Sequence, residues 1–260
     1  MTRRRTTSAG EAVPAVAPLA RGLALLRAFR PEDRGLGNGA LAERTGLPPS
    51  TVSRLTSTLV GLGFLDYDAR TGRYALTASV AALGFSYLNG LDVRIRLKPG
   101  MQALADLAGA AVALGARDLQ HLVYLECCLP PRADIFRFNV GSRLPMARTA
   151  MGRAYLSGLD EERFARIVDE IRTAAGEQWP KVLAGIEKAK ADIAARGFCT
   201  SFGEWESGLN AVGVPVLVNG GRDVFALSCG APSYSLDPED LTRLHGPRLV
   251  ELVNSVSDAD

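Results

Sequence analysis

Apolar positions recur at helical spacing through the first sixty residues. Leu19, Leu23 and Leu26 share one side of residues 19–29, which predicts a helix whose apolar side completes a small core and which Pro31 ends. A short helix is expected over residues 40–45, stopped by Gly46 and the turn Gly46-Leu47-Pro48. A further helix opens at Pro49-Ser50 and runs to about Leu62, with Val52, Leu55, Leu59 and Leu62 on one stripe. The period then changes from helical to extended. Residues 64–67 and 73–76 predict two short strands around Ala69-Arg70-Thr71-Gly72.

Residues 77–90, rich in Ala and Leu, predict a connecting helix. Residues 91–109 continue helically, with Leu97, Met101, Leu104 and Ala108 in register and Pro99 as a kink. Apolar residues here belong either to dimer contacts or to packing within one chain. Further on, strands are expected over residues 111–117, 121–127, 134–138, 198–201, 212–218 and 224–229. The last two flank Asn219-Gly220-Gly221-Arg222-Asp223, a hairpin connection. Helices are expected over residues 149–157, 161–171, 181–196 and 238–255. Consecutive strands with short turns imply a largely antiparallel sheet with helices on its faces, an α+β chain. The pattern divides into a disordered tail (1–18), a helix-rich domain (19–77), a linker helix (78–91) and a larger second domain (92–260).

Two helices joined by a short Gly-containing turn make a helix-turn-helix, and the hairpin after them makes a wing. The face of the second helix opposite its apolar stripe carries Ser50, Ser53, Arg54 and Ser57, with Thr51 at its edge. Small hydroxyls and one guanidinium suit phosphate oxygens and base edges, whereas an ordinary solvated face carries more Glu and Lys. The free N–H groups of the helix start add an anion site. Arg70 and Arg73 in the wing are expected on phosphate. The alternative is a plain amphipathic surface helix, which makes the turn and the wing coincidences.

Charge changes the picture by its distribution. The 260 residues are 47% hydrophobic with a net charge of +2. Residues 1–77 hold 11 Arg and no Lys against 6 acidic residues, a net of +5, and the remainder carries −3. A basic module on an acidic body fits a phosphate-facing domain with a separate partner domain. Glu11, Pro14 and Pro18 interrupt any signal-peptide core after Arg3-Arg4-Arg5, and no stretch approaches the roughly 20 apolar residues of a membrane helix. The expectation is a cytoplasmic protein without membrane contact. Cys127, Cys128, Cys199 and Cys229 lack C-x-x-C spacing, and the only histidines, His121 and His245, are far apart, so no metal site is expected. The glycines of Gly35-Leu-Gly-Asn-Gly-Ala lack the third glycine of G-x-G-x-x-G and follow no strand, so this reads as a plain loop and no cofactor is called for.

The segments LARGLALLRAF, LAERTGLPPSTVSRLTSTLVGLGFL, GRYAL, VGSRLPMARTAMGRAYL, RGFCTSFGEWESGLNAVGVPV and FALSCGAP together resemble the IclR family of bacterial one-component transcription regulators, over nearly everything from Leu19 onward. The resemblance implies an N-terminal winged helix-turn-helix, a linker helix and a C-terminal GAF-like effector domain of antiparallel sheet flanked by helices. It also implies a homodimer or homotetramer on double-stranded DNA with a two-fold related operator. The GEW and LNAV segments look more like the branch with regulators of aromatic catabolism than the glyoxylate-responsive branch. Carried over by motif, the effector cavity would be lined by Thr149, Ala150 and Met151; by Ser201, Glu204 and Ala211; and by Ser228 and Gly230. The alternative is that these residues are simply core. Gly230 replaces a serine of the glyoxylate-type pocket, Ala211 stands where a cysteine can occur, and Met151 is bulkier than the usual alanine. This points to a small organic acid larger or less polar than glyoxylate, held by helix N–H groups and the Ser228 hydroxyl. A competing reading is an enzyme fused to a DNA-binding domain, with Cys128, Cys229 or Ser228 as nucleophile and His121 as base. The sequence offers no G-x-S-x-G elbow for it. A non-specific architectural DNA protein leaves the acidic second domain without a purpose.

Overall fold

The computed structural model describes residues 16–131 and 138–257. The expected tail to residue 15 and most of the expected strand at 134–138 lie outside the described residues. The chain divides into two compact units, one reaching to Asn89 and one starting at Gly90.

In the first unit, α1 (Ala17–Arg27), α2 (Asn38–Thr45) and α3 (Pro49–Gly61) pack around Leu25, Leu36, Leu41, Val52, Leu59 and Leu65. Gly46 closes α2 at φ +67°, a left-handed position that glycine adopts without penalty. Pro49 then starts α3, where its missing N–H loses nothing. Strands β2 (Leu65–Asp68) and β3 (Arg73–Leu76) form the wing, paired Leu65 to Leu76 through Asp68 to Arg73. Helix α4 (Ala78–Asn89) follows.

Four expectations are corrected here. The apolar side of α1 does not face inward as a stripe of Leu19, Leu23 and Leu26. Leu25 is the α1 residue fully buried, while Leu19 and Leu23 are 63% and 52% exposed and Leu26 is half-buried. Leu62, the C-cap of α3, is 64% exposed as well. Helical periodicity finds a stripe but does not say which side meets the partner helices. The helix also starts at Ala17, ahead of the expected end of the tail. The stretch read as a plain loop contains β1 (Leu36–Gly37), which adds to the wing through Leu36–Tyr74 and Gly37–Arg73 pairs. That strand is two residues long, so its alternation is invisible in sequence. Asp33 anchors it by accepting from the Arg30 N–H (2.7 Å) and from both ends of the Arg44 guanidinium, while Arg44 also donates to the Ala28 carbonyl at 2.9 Å.

The second unit is a six-stranded antiparallel sheet in the order β6-β5-β4-β9-β8-β7. Its strands are β4 (Ala111–Asp118), β5 (His121–Cys128), β6 (Arg143–Pro145), β7 (Cys199–Phe202), β8 (Leu209–Val218) and β9 (Asp223–Pro232). Strand β6 escaped the sequence reading because three edge residues carry no alternation. Helices α6 (Ala150–Ser157), α7 (Glu161–Ala175) and α8 (Trp179–Arg196) form one core with Ala113, Tyr124, Cys199 and Ala226 of the sheet. The helix α5 (Asp92–Ala108) carries Pro99 inside it and buries Val93, Leu97, Met101 and Leu104. The helix expected over 238–255 is three pieces: a single turn α9 (Pro238–Asp240), a π-helical segment (Leu241–His245) and α10 (Gly246–Ser257). The π segment accompanies close packing, since a Cβ on Gly246 would lie 2.5 Å from the Phe198 ring.

Small residues let α6 lie directly on the sheet. A Cβ on Gly213 would meet the Ala150 carbonyl oxygen at 2.5 Å, and one on Gly115 would meet the Met151 sulphur at 2.4 Å. The alternate positions Val212 and Val214 are buried and point to the other face. No helix among the described residues is long and apolar enough to cross a membrane.

Candidate functional site

The first candidate site is the outer face of α3. Ser50, Ser53, Arg54 and Ser57 are exposed and Thr51 is half-buried at the edge, whereas Val52, Thr56 and Leu59 are buried beneath. The hydroxyls of Ser53 and Thr56 donate back to the Pro49 and Val52 carbonyls at 3.1 and 2.9 Å. Thr56 thus satisfies itself inside the core, and Ser53 can exchange its internal bond for a phosphate oxygen. In the wing, Asp68 accepts from the Arg70 N–H (2.9 Å) and the Thr71 hydroxyl (2.8 Å), bonds that hold its carboxyl below the usual range. The Arg70 side chain above this turn is 86% exposed. Arg73 is exposed but partly committed, donating to the Gly35 carbonyl at 3.3 Å. Beside α3, Leu19, Leu23, Leu26, Leu62 and Leu83 line an open apolar groove of about 640 Å³.

The second candidate site is a cavity between α6 and the sheet. Thr149, Ala150, Met151, Ser201, Ala211, Ser228 and Gly230 all line it, although they come from four separate stretches of chain. Register explains the convergence: Ser201 pairs with Ala211 and Ala211 with Gly230, so the three side-chain positions stand in a row across β7, β8 and β9. Thr149 caps α6, its Oγ1 accepting from the Gly152 N–H at 3.1 Å and donating to the Pro145 carbonyl at 3.0 Å. Ala150 and Met151, which line the cavity, are the first residues of α6, where backbone N–H groups have no partners from the helix itself. Ser201 donates to the Arg148 carbonyl at 3.0 Å. The Ser228 hydroxyl is a hydrogen-bond partner of the Tyr124 phenol, whose ionisation burial pushes well above the usual range. Met151 is accommodated because Gly115 opposite it has no side chain.

Glu204 departs from the expectation. It is not on the cavity wall. Its carboxylate accepts from the buried Arg153 at 2.7 Å, because α6 turns that guanidinium toward the loop after β7. The wall position belongs to its neighbour Trp205, whose ring lies 5.1 Å from Phe138. Tyr124, Phe138, Leu144, Trp205 and Asn210 also line the cavity and were missed in sequence. Arg153 carried a legible signal, a charge at an inward position of an otherwise apolar helix; the others look like ordinary core.

The groups proposed for nucleophilic chemistry are separated. His121 and Cys128 stand at opposite ends of β5, about 23 Å apart at the rise of an extended strand. Cys229 is level with Cys128, both facing Val112 in the ladder. Burial pushes the Cys199 and Cys229 thiols up to about 12 and Cys127 to about 11, opposite to the shift an activated thiolate needs. Desolvation, then Arg143, lowers the pKa of His121. Among the described residues no cluster of three His, Cys, Asp or Glu could hold a metal.

The profile of the IclR helix-turn-helix domain matches residues 18–69, and that of the bacterial transcriptional regulator IclR C-terminal region matches residues 85–258. The HTH-type transcriptional regulator TsaQ1/TsaQ2 of Comamonas testosteroni is 33% identical over 240 residues, which cover 92% of this chain and 86% of that protein. The Pca regulon regulatory protein of Pseudomonas putida is 31% identical over 216 residues, covering 81% of this chain and 72% of that one. Among solved structures, an IclR family transcriptional regulator from Brucella abortus superposes with a TM-score of 0.85 at 42% identity, covering 95% of this chain and 94% of that one.

Proposed function

Since the chain belongs to the IclR family of transcriptional regulators, with a helix-turn-helix DNA-binding domain and a C-terminal effector domain, we propose that it binds a two-fold related operator as a dimer, in the cytoplasm, under control of a small organic acid. The observation that carries the DNA half is the outer face of α3: four exposed positions, all hydroxyl or guanidinium, over a buried apolar stripe. One such helix reads few base pairs, so useful discrimination needs two copies on successive turns of one DNA face. The exposed leucines of α1, with Leu62 and Leu83, supply an apolar surface for the second copy. Footprinting on the DNA upstream of its own gene is expected to reveal protection with inverted symmetry. Protection without that symmetry, or none, overturns the proposal.

For the effector half, the cavity is lined by the start of α6 and by Ser201 and Ser228, whose hydroxyls would exchange their internal bonds for a ligand oxygen, together with the apolar Met151, Leu144 and Phe138. That chemistry suits a carboxylate on an apolar, aromatic-sized body. Kinship with regulators such as that of the Pca regulon leads in the same direction. A thermal-shift screen of small carboxylates and aromatic acids identifies the ligand, since one that binds only the folded state raises Tm. The ligand must also favour one DNA-binding state over the other, with a coupling of about 1–3 kcal/mol. Ala211→Trp is expected to fill the cavity, which holds only about 70 Å³, and to abolish the ligand response while operator affinity stays at wild type. A normal response in that variant places the effector elsewhere. His121 stands away from Cys128 along β5, and it pairs with Asp118 whereas Ser228 and Cys229 pair with Ala113 and Val112 farther along β4, so the candidate nucleophiles lack this base, and we read the chain as a non-enzymatic switch.

A further inference from the structure

The cavity of about 70 Å³ is several times smaller than the roughly 300 Å³ at which ligand pockets begin. Something must move before an aromatic acid can enter. The loop between β7 and β8 contributes Trp205 to the wall, and its fastening is unusual. Arg153 of α6 is buried, with its side chain only 4% exposed, and donates to the Glu204 carboxylate at 2.7 Å and to the Ala147 carbonyl at 2.9 Å. Arg148 donates to the Glu204 carbonyl at 3.0 Å. Helix α8 leaves room for the guanidinium only because residue 185 is glycine, since a Cβ there would lie 2.2 Å from it.

We propose that the Arg153–Glu204 ion pair is a clamp that holds the loop carrying Trp205 closed over the cavity, so that Arg153 is a positioning residue for effector entry. This rests on the reading of the cavity as the effector site. The same stretch that supplies both donors, Arg148 to Arg153, includes Thr149, Ala150 and Met151 of the cavity wall. A ligand seated at the α6 N-terminus therefore presses on the segment that grips the loop. The opposite ends of the loop are pinned separately, by the Gly203 N–H to the Leu209 carbonyl and the Ser233 N–H to the Gly208 carbonyl, both 2.8 Å. Loss of the carboxylate contact leaves the loop held at Glu204 by Arg148 alone, so that Trp205 gains freedom to swing without unravelling β7 or β8. Arg153 is buried and Glu204 is half-exposed, so the mobile half of the clamp is the loop.

The chain has two tryptophans, Trp179 and Trp205, so Trp179→Phe makes Trp205 the sole fluorophore. In that full-length background, acrylamide quenching of Trp205 is expected to rise severalfold in Glu204→Ala. Glu204→Gln, which keeps an acceptor but no charge, is expected to fall between, and Glu206→Ala, one turn of the loop away, to match the parent. Tm is expected to fall as well, because the buried Arg153 guanidinium loses its carboxylate, so quenching is compared at a temperature well below the transition of every variant. Arg153→Lys keeps the charge but lacks the planar fork whose Nε and Nη2 reach the two acceptors separately, and is expected to resemble Glu204→Gln. Unchanged quenching in Glu204→Ala overturns the clamp. So does an equal rise in Glu206→Ala, which makes the effect one of general loop softening. With benzoate as probe, faster association in Glu204→Ala than in the parent supports the clamp as an entry gate, and equal association rates overturn it. Absence of benzoate binding in every variant counts against the cavity as an acid site, and the quenching series then decides the clamp by itself.

Discussion

Arg54→Ala is expected to weaken operator binding by about 1–3 kcal/mol, the range for losing a bidentate contact to a guanine edge. That is roughly a fivefold to 150-fold rise in Kd at fixed salt. Arg54 is the sole long cationic side chain on the exposed face of α3, and the buried Val52, Thr56 and Leu59 fix how that face is presented. Arg70→Ala is expected to behave differently. Its side chain is 86% exposed above the wing turn, with a loose 3.9 Å ion pair to Asp68, so its loss is expected to lower affinity for all sequences alike and to flatten the salt dependence by about one unit of slope. Arg73→Ala combines both effects weakly, because part of its donor capacity already holds the Gly35 carbonyl. Electrophoretic mobility shifts across a salt series separate the three. Wild-type affinity for Arg54→Ala at moderate salt means that α3 meets DNA by another face.

The second large effect concerns α1. Leu25→Ala is expected to destabilise the DNA-binding unit by about 2–5 kcal/mol, the range for truncating a fully buried leucine. Leu25 is one of few large residues in that core, which holds Leu36, Leu41, Val52, Leu59 and Leu65 besides. Small domains bury little surface and stand near the threshold of stability, so a loss of this size unfolds most of the unit. Leu23→Ser, two residues away, is expected to leave the melting curve almost unchanged because Leu23 is 52% exposed. If the proposed dimer contact uses this face, its effect is expected on self-association instead, as a shift toward monomer in sedimentation. Calorimetry on both variants is decisive. A large loss of stability in Leu23→Ser, with none in Leu25→Ala, reverses the inward face of α1.

The same contrast shows what sequence could and could not deliver. The turn at Gly46, the start at Pro49 and the polar side of α3 were legible, because each follows from local chemistry: a left-handed cap, a proline at a helix start, and hydroxyls opposite a run of apolar residues. The hairpin around Asn219-Gly220-Gly221 and the alternation along β8 and β9 were legible for the same reason. Motif resemblance also named seven residues that the fold brings to one cavity wall, though their convergence is invisible locally.

What depended on long-range packing was not legible. Periodicity marked Leu19, Leu23 and Leu26 as a stripe, but only the positions of α2 and α3 decide that Leu25 faces inward. Leu36 and Gly37 look like loop until β3 offers them a ladder. Glu204 stood at a motif position, yet the rotation of α6 aims Arg153 at it and leaves the wall to Trp205. Trp205 and Phe138 look like two separate aromatic residues until the fold sets their rings 5.1 Å apart. The sequence by itself determined the periodic elements, their caps and the chemistry of the α3 face, since these need neighbours only a few residues away. The tertiary structure decided which faces are buried, which carboxylate a buried guanidinium finds and how much room a cavity keeps. Those depend on contacts between residues distant in the chain, whose geometry no local pattern encodes.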